Sequence, residues 1–250
     1  MSTPVRGRVR VAQGAKRVRV YLRGQVVADT VHPLLVWEVP YYPTYYFPRA
    51  DVVSGFLTPS GRTSHSPSRG EGVLSTIKVS GAEAVDGALE YPESPIEELR
   101  DRVRFEFDAF DWFEEDEQIF THPRDPGTRV DILPSSRHVR IEVGGVTVAD
   151  SVRPHLLFET GLPTRYYLPR VDVRMDLLEK TGTVSHCPYK GSTEYFSVRL
   201  DDQVFPDLAW SYPTPLPEST RVAGLVAFTD EKVDVYVDGV LQERPKTKFA

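Results

Sequence analysis

Apolar and polar residues alternate over short stretches of this chain, with the period of two that a half-buried β-strand requires. RVRVYL at 17–22 and HVRIEV at 138–143 both place apolar residues at every second position. A glycine-containing break follows each stretch, and then a second short apolar stretch begins, at 25–28 and at 146–149. The pattern predicts a β-hairpin near the start of each half of the chain.

Aromatic and aliphatic runs predict further strands, and the prolines that interrupt them favour edge or irregular strands. A closing hairpin is predicted where VDVYV turns at Asp238-Gly239, because this dipeptide favours the primed turns that join two strands. The additional strands are predicted at 34–39, 45–47, 75–79, 155–159, 166–168 and 197–200.

One short helix is predicted in each half. In SPIEELRDRV at 94–103, Ser94 is suited to cap a helix and Pro95 would take its first position. Ile96, Leu99 and Val103 would then share one face. The corresponding segment at 217–228 is less regular.

The two halves repeat each other at a constant offset of 121 residues. VADTVHP, which begins at Val27, matches VADSVRP, which begins at Val148, and YYFPRADV matches YYLPRVDV at the same offset. FDWFEED, which begins at Phe110, matches VDVYVDG, which begins at Val233, at an offset that is two residues longer than the others. The sequence therefore predicts a tandem duplication. Its repeats are 1–128 and 129–250, joined within the proline-containing stretch THPRDPGTR, and each is mainly antiparallel β with one short helix.

The composition limits the class of protein. The 250 residues are 40% hydrophobic and 26% charged, as in a globular protein, and no apolar run is long enough to span a membrane. The first residues lack the apolar core of a signal peptide, so we expect a cytoplasmic location. A net charge of −6 argues against nucleic acid as the main partner. Because internal duplication can replace homodimerisation, a monomer or weak oligomer is expected.

A basic N-terminal segment is the local exception to this acidic balance. Seven basic residues, from Arg6 to Arg23, precede the first acid, Asp29, and valines interleave with them. This spacing favours strands whose arginines face water, with an anion-binding arm as the alternative.

The repeats differ most at one short motif. SHCPYKG at 185–191 contains the only cysteine, and its counterpart SHSPSRG at 64–70 keeps the serine, histidine, proline and glycine. Four groups occur in the second repeat alone: Cys187, Tyr189, Lys190 and Trp210. The first repeat has Ser66, Ser68, Arg69 and Leu89 at these positions. We therefore expect the second repeat to hold the ligand site, and the first to be its structural partner.

The expected ligand is a small anionic or polar organic molecule. Lys190 and Arg170 would hold its anionic group, although Arg170 could instead pair with Asp172, two residues away. Four aromatic residues would contact its apolar part: Tyr166, Tyr189, Trp210 and Tyr212. Glu159 ends an apolar strand, so its carboxylate is expected to pair with Arg170 or to line a cleft, and it or His186 would transfer protons if a reaction occurs.

A second hypothesis makes Cys187 a nucleophile or redox thiol. Adjacent side chains of an extended strand face opposite ways, so His186 is not expected to act as its base. A cation from elsewhere would have to favour the thiolate. A cysteine packed as a small apolar residue is the simpler alternative, and a structural or protein-interaction module is a third hypothesis for the whole chain.

Four segments together resemble one known family: YYLPRVDV, SHCPYKG, WSYP at 210–213, and the run from HPRDP to LPSSRHVR at 122–140. The chain is similar to the bacterial and fungal family called domain of unknown function 427, sometimes labelled nucleotidyltransferase-like. This resemblance implies a compact antiparallel domain of the Mss4-like, β-tent group, and it implies no activity.

Neither metal nor nucleotide chemistry is expected from the residues. Many β-tent domains bind zinc through two Cys-x-x-Cys pairs, and a chain with one cysteine does not provide them. Gly191-Ser192 is not followed by an Asp-x-Asp pair for magnesium, and no Walker loop occurs. We therefore expect no cofactor.

Overall fold

The computed structural model describes residues 9–247, so Arg6 and Arg8 of the basic segment lie outside the described residues. Contacts between residues divide the chain into two units, one ending at Asp125 and the other beginning at Pro126. Both units consist of antiparallel sheets. The prediction of a mainly β chain in two tandem repeats is confirmed.

The first unit contains a seven-stranded sheet, in the order β1-β4-β5-β9-β8-β7-β6, and a four-stranded sheet, in the order β11-β10-β2-β3. The predicted hairpin at 17–28 forms β2 and β3. The strands are β1 (Arg10–Gln13), β2 (Val18–Leu22), β3 (Gln25–Thr30), β4 (Leu34–Val39), β5 (Tyr42–Pro48), β6 (Leu57–Ser66), β7 (Gly70–Val79), β8 (Ala82–Glu90), β9 (Arg102–Phe105), β10 (Asp111–Glu114) and β11 (Glu117–Ile119).

The second unit distributes its strands over smaller sheets: β12-β15-β16, β14-β13-β23-β24, β17-β20-β21-β22 and β18-β19. The predicted closing hairpin joins β23 to β24 through Asp238 and Gly239, both with positive φ. The strands are β12 (Val130–Pro134), β13 (Val139–Val143), β14 (Val146–Ser151), β15 (His155–Glu159), β16 (Arg165–Tyr167), β17 (Leu178–Lys180), β18 (His186–Cys187), β19 (Gly191–Ser192), β20 (Glu194–Leu200), β21 (Gln203–Ser211), β22 (Val226–Phe228), β23 (Asp234–Val237) and β24 (Val240–Leu241).

The helical segments of the described chain are 3₁₀ turns, and the helix expected at 94–103 is a single one. Ser94 Oγ accepts a hydrogen bond from the Ile96 amide, and the turn covers Glu97–Leu99. Val103 then pairs with Phe47 in the sheet, so strand pairing ends the helical stretch. The 3₁₀ turns are Arg49–Asp51, Glu97–Leu99, Phe107–Ala109, Arg170–Asp172, Met175–Leu177 and Pro217–Val222. Within residues 9–247, no helix has the length and apolar character needed to cross a membrane.

Each unit has two apolar clusters because one strand pair is buried on both faces. In β4, Leu35 and Trp37 join the larger cluster, whereas Leu34 and Val36 join the smaller one. In β5, Tyr46 likewise belongs to the smaller cluster. The second unit repeats this arrangement, with a larger cluster around Val139 and Phe196 and a smaller one around Tyr167, Tyr212 and Val222. The smaller clusters lie beside two charged pairs, Glu38 with Arg69 in the first unit and Glu159 with Lys190 in the second.

Gly72 illustrates how differently the two repeats pack at equivalent positions. A Cβ at this glycine would lie 2.7 Å from Leu89 Cδ1 and 2.9 Å from Tyr91 Cε1. The residue 121 positions later is Thr193, which is buried and whose hydroxyl accepts a hydrogen bond from the Ser185 amide. In the first repeat, Leu89 and Tyr91 thus fill the space that the Thr193 side chain occupies in the second repeat.

We predict that Gly72→Ala lowers the free energy of unfolding by about 1–3 kcal/mol, because it overpacks a filled site. Urea denaturation would measure the change. Gly182→Ala is the matched control, since no atom lies within 4 Å of a Cβ there, and it should leave stability unchanged or slightly higher. Equal effects of the two substitutions would contradict the packing argument.

Candidate functional site

A tight turn positions Lys190 in the second repeat. The Lys190 amide donates to the Cys187 carbonyl (3.3 Å), and the Leu216 amide donates to the Lys190 carbonyl (3.1 Å). Gly191 follows with φ of +98°, a conformation that favours glycine, and Gly70 has φ of +90° at the matching position. The shared residues of the two motifs therefore form the same turn, and the residue before the glycine extends from it.

Lys190 forms a buried ion pair with Glu159. Its ammonium donates to Glu159 Oε2, and the two side chains are only 10% and 9% exposed. The expectation that Glu159 needs a partner is met by Lys190, while Arg170 bonds elsewhere. A buried pair of this kind is costly to break, because either charge left alone would be desolvated.

Tyr167 and Trp210 adjoin this pair. Trp210 Nε1 donates to the Tyr167 hydroxyl (3.2 Å), and the rings meet edge to face with centroids 6.5 Å apart. Burial raises the pKa of Tyr167 to about 12 against the opposing attraction of Lys190, so its hydroxyl stays protonated at neutral pH. Cys187 and Trp210 are half-buried and pack against the cluster that contains Tyr167 and Tyr212.

Electrostatics keep Lys190 charged despite its burial. Burial disfavours the ammonium, but its interactions with Cys187, the Glu159 carboxylate and Tyr167 together outweigh this cost. The pKa of Lys190 therefore lies above its ordinary value. The site is a salt bridge with a tyrosine hydroxyl, an indole N–H and a partly exposed thiol around it.

The structure thus brings together five of the nine residues that the sequence proposed: Glu159, Cys187, Lys190, Trp210 and Tyr212. His186 belongs to the same strand as Cys187 but is exposed, and its Nδ1 lies 2.8 Å from Ser192 Oγ. Tyr189 is half-buried, and its carbonyl accepts a hydrogen bond from Ser219 Oγ (3.0 Å).

Arg170 is engaged away from the pair. Its guanidinium donates to Glu194 Oε1 (2.6 Å) and to the Gly224 carbonyl (3.0 Å). The alternative partner, Asp172, bonds instead to Arg153 and to Ser151 Oγ. Both partners of Arg170 are distant in sequence, so the spacing of two residues between Arg170 and Asp172 was misleading.

Tyr166 faces the other way from Tyr167. It packs against the larger cluster, and burial raises its pKa. Alternation along the strand could have shown this, because Tyr166 and Leu168 share one face and Tyr167 the other. Of the two adjacent tyrosines, only Tyr166 was expected to contact the ligand, although both recur in the first repeat as Tyr45 and Tyr46.

The first repeat contains a related charged cluster. The Tyr46 hydroxyl donates to Glu38 (2.5 Å), and Glu38 lies 3.8 Å from Arg69 and 3.4 Å from Arg104. Arg69 also lies over the Tyr91 ring, 5.4 Å from its centroid. Glu38, Tyr46, Arg69 and Tyr91 precede Glu159, Tyr167, Lys190 and Tyr212 by 121 residues. Both repeats thus keep a carboxylate, a cation and two tyrosines.

A separate carboxylate cluster adjoins Tyr166. A cavity of about 180 Å³ is lined by Tyr166 and Asp230, among others. Arg165 lies 3.2 Å from Asp230 and 2.5 Å from Glu231. Burial raises the pKa of Asp230 to about 7, although Arg165 opposes the shift. Over residues 9–247 no cluster of three or more potential metal ligands is present.

Comparison with known proteins identifies a family and no activity. The family model described as a domain of unknown function (DUF427) matches residues 10–116 and again residues 131–239. No curated protein matches the chain.

We predict that Glu159→Gln lowers the free energy of unfolding by about 3–5 kcal/mol, because Lys190 would be left as an uncompensated buried charge. Adding Lys190→Met should recover part of this loss. Urea denaturation of the wild type, both single variants and the double variant gives the coupling energy. Lys180→Met is the control: its pair with Glu194 is exposed on the lysine side, and its loss should cost at most about 1 kcal/mol.

We predict that Asp230 makes the protein less stable as pH rises from about 4 to about 7. Its folded pKa lies above its unfolded value, so the folded state binds the proton more tightly and loses that advantage with rising pH. Asp230→Asn should therefore reduce the fall in melting temperature between pH 5 and pH 8, whereas Asp202→Asn at an exposed turn should not. An unchanged fall in the Asp230 variant would contradict the assignment.

Proposed function

Because the chain belongs to the DUF427 family, a domain of unknown function, its own geometry is the guide to function, and we propose that it binds a small polar organic molecule in the second repeat. The site is the Glu159–Lys190 pair with Tyr167, Cys187 and Trp210. The observation that carries this proposal is the buried charged pair, because a lysine kept charged among tyrosines and an indole is a preorganised group of donors and acceptors.

The access route to this pair is its half-buried edge. Val130, Cys187, Trp210 and Leu225 are only partly buried members of the cluster that packs beside it. A ligand with a flat apolar part would cover these side chains while its polar end reaches the Tyr167 hydroxyl or the ion pair. Tyr212, which is almost fully buried, supports this surface from beneath.

The charges favour an uncharged polar group over an anion. Lys190 is already neutralised by Glu159, and Arg170 is held by Glu194. An anion would have to displace a carboxylate from either cation, whereas an amide or hydroxyl can bond to the pair without separating it. The proposed ligand class is therefore narrower than the anionic or polar molecule that the sequence predicted.

The fold group, the repeat bounds, the location and the partners of the protein are also proposals. We assign the protein to the Mss4-like, β-tent group on its family resemblance, and we take 1–128 and 129–250 as its repeats, with the first as structural partner. We further propose a cytoplasmic monomer or weak oligomer that needs no cofactor and does not act on nucleic acid or membranes.

A second candidate function is covalent chemistry at Cys187. The observation that favours it is a half-buried thiol close to the Lys190 ammonium, since reactive cysteines are partly exposed and lie beside a cation. Against it, His186 bonds to Ser192, so no base for the thiol comes from its own strand. Alkylation of wild-type protein across pH tests this candidate, since an activated thiol reacts rapidly below pH 7 and a packed one reacts only after denaturation.

Protection of Cys187 tests the binding proposal directly. As the only cysteine, it reports on the second repeat without background when iodoacetamide labelling is followed by mass spectrometry. We predict that benzamide slows labelling saturably, and that benzoate, its anionic counterpart, does so at least several-fold less well. Lys190→Met and Trp210→Leu should each remove the protection, the latter because it introduces the residue of the first repeat.

Lys180→Met provides the control, because it removes a lysine of the same repeat away from the pair. Labelling ratios with and without benzamide are compared within each variant, so a change in intrinsic thiol reactivity cancels. Equal labelling with and without both probes would contradict an aromatic polar ligand at this edge. Protection that persists in Lys190→Met would contradict the role of the ion pair.

A further inference from the structure

A larger cavity lies within the first repeat, which the sequence treated as a structural partner. It encloses about 410 Å³ between the end of the β4–β5 hairpin, the segment after β9 and residues 120–123. That volume falls in the range of small-molecule sites. The duplicated motif with Arg69 is not part of its lining, so sequence comparison of the two repeats gave no indication of it.

Aromatic rings form much of the cavity wall. Tyr42 stacks on His122, with ring centroids 3.9 Å apart, and Phe107 stacks on Trp112, with centroids 5.2 Å apart. Tyr42, Phe107 and His122 are half-buried, so each ring keeps part of its surface exposed, while Trp112 is fixed in the core. The Trp112 indole donates to the Phe107 carbonyl (2.9 Å), which fixes the second stacked pair.

The charges of the lining are predominantly negative. Glu38, Glu106 and Asp108 face one guanidinium, that of Arg104. Arg104 bonds to Glu106 and lies 3.4 Å from Glu38, and Arg69 reaches Glu38 from outside the lining. Even with Arg69 included, three carboxylates meet two guanidiniums. The excess negative charge resides at Asp108, which is exposed and forms no ion pair with any described residue.

An exposed aromatic surface beside an uncompensated carboxylate favours the binding of an organic cation. The negative face of an aromatic ring attracts a cation, and a nearby carboxylate adds to that attraction. An anionic ligand would meet repulsion from Asp108, and a neutral one would gain nothing from it. We propose that the first-repeat cavity binds a small alkylammonium compound, with its cationic group between Asp108 and the rings of Tyr42 and Phe107.

Calorimetric titration of the full-length protein with choline tests this site. The matched probe is 3,3-dimethylbutan-1-ol, which has the shape of choline and no charge. We expect choline to bind at least about tenfold more tightly than the alcohol at low salt. Asp108→Asn should weaken choline binding several-fold and flatten its salt dependence, and Phe107→Leu should weaken it while preserving the fold, as checked by melting temperature.

Asp202→Asn removes an equal charge from an exposed turn of the second repeat and should leave choline binding unchanged. Choline that fails to bind at millimolar concentration, or binds no better than the alcohol, would overturn the proposal. Equal effects of the Asp108 and Asp202 substitutions would also overturn it, because binding would then depend on net charge alone. The Cys187 labelling experiment is independent, since it concerns the other repeat and an uncharged probe.

Discussion

A carboxylate that ends a buried strand has to be compensated, and in each repeat this requirement ties three parts of the chain together. Glu159 ends β15, Lys190 extends from the turn between β18 and β19, and Tyr167 lies on β16, beside β15. Desolvation of an isolated charge costs several kcal/mol, so the turn cannot move away from the strand without exposing or orphaning one charge. The glycine with positive φ that follows the cation is the local means by which the turn keeps this position.

The same requirement is met with different chemistry in the two repeats. A lysine ammonium is a compact charge, and Lys190 and Glu159 form a closed one-to-one pair. In the first repeat, two planar guanidiniums share Glu38 at 3.8 and 3.4 Å, and a tyrosine hydroxyl donates to it. A shared carboxylate leaves positive charge that other acids must balance, and Glu106 does this through Arg104. The charged cluster of the first repeat therefore includes a second acid, whereas the charges of the Glu159–Lys190 pair in the second repeat balance each other.

The sequence was most informative where geometry is local. Alternation at 17–22 and 138–143 and the dipeptide Asp238-Gly239 identified hairpins, because side-chain period and turn conformation depend on neighbouring residues. The helix at 94–103 was predicted too long, because pairing of Val103 with Phe47 is a tertiary interaction that local propensity does not include. For the same reason the partners of Glu159 and Arg170 were not identified, since they lie 31 and 24 residues away along the chain.

Beside the tyrosine that both repeats contain, two directly opposed residues on neighbouring strands differ together between the repeats. Leu89 pairs with Arg104 in the first repeat, and Trp210 pairs with Ala227 at the equivalent register of the second. Directly opposed side chains share one space, so a large residue on one strand requires a small one on the other. In the first repeat the large member is Arg104, which approaches the carboxylate that Tyr46 binds. In the second it is Trp210, whose indole donates to Tyr167 itself. Changing only one member would either overfill the pair or leave a cavity, so the guanidinium of the first repeat and the indole of the second are alternative ways to fill the same position beside the tyrosine.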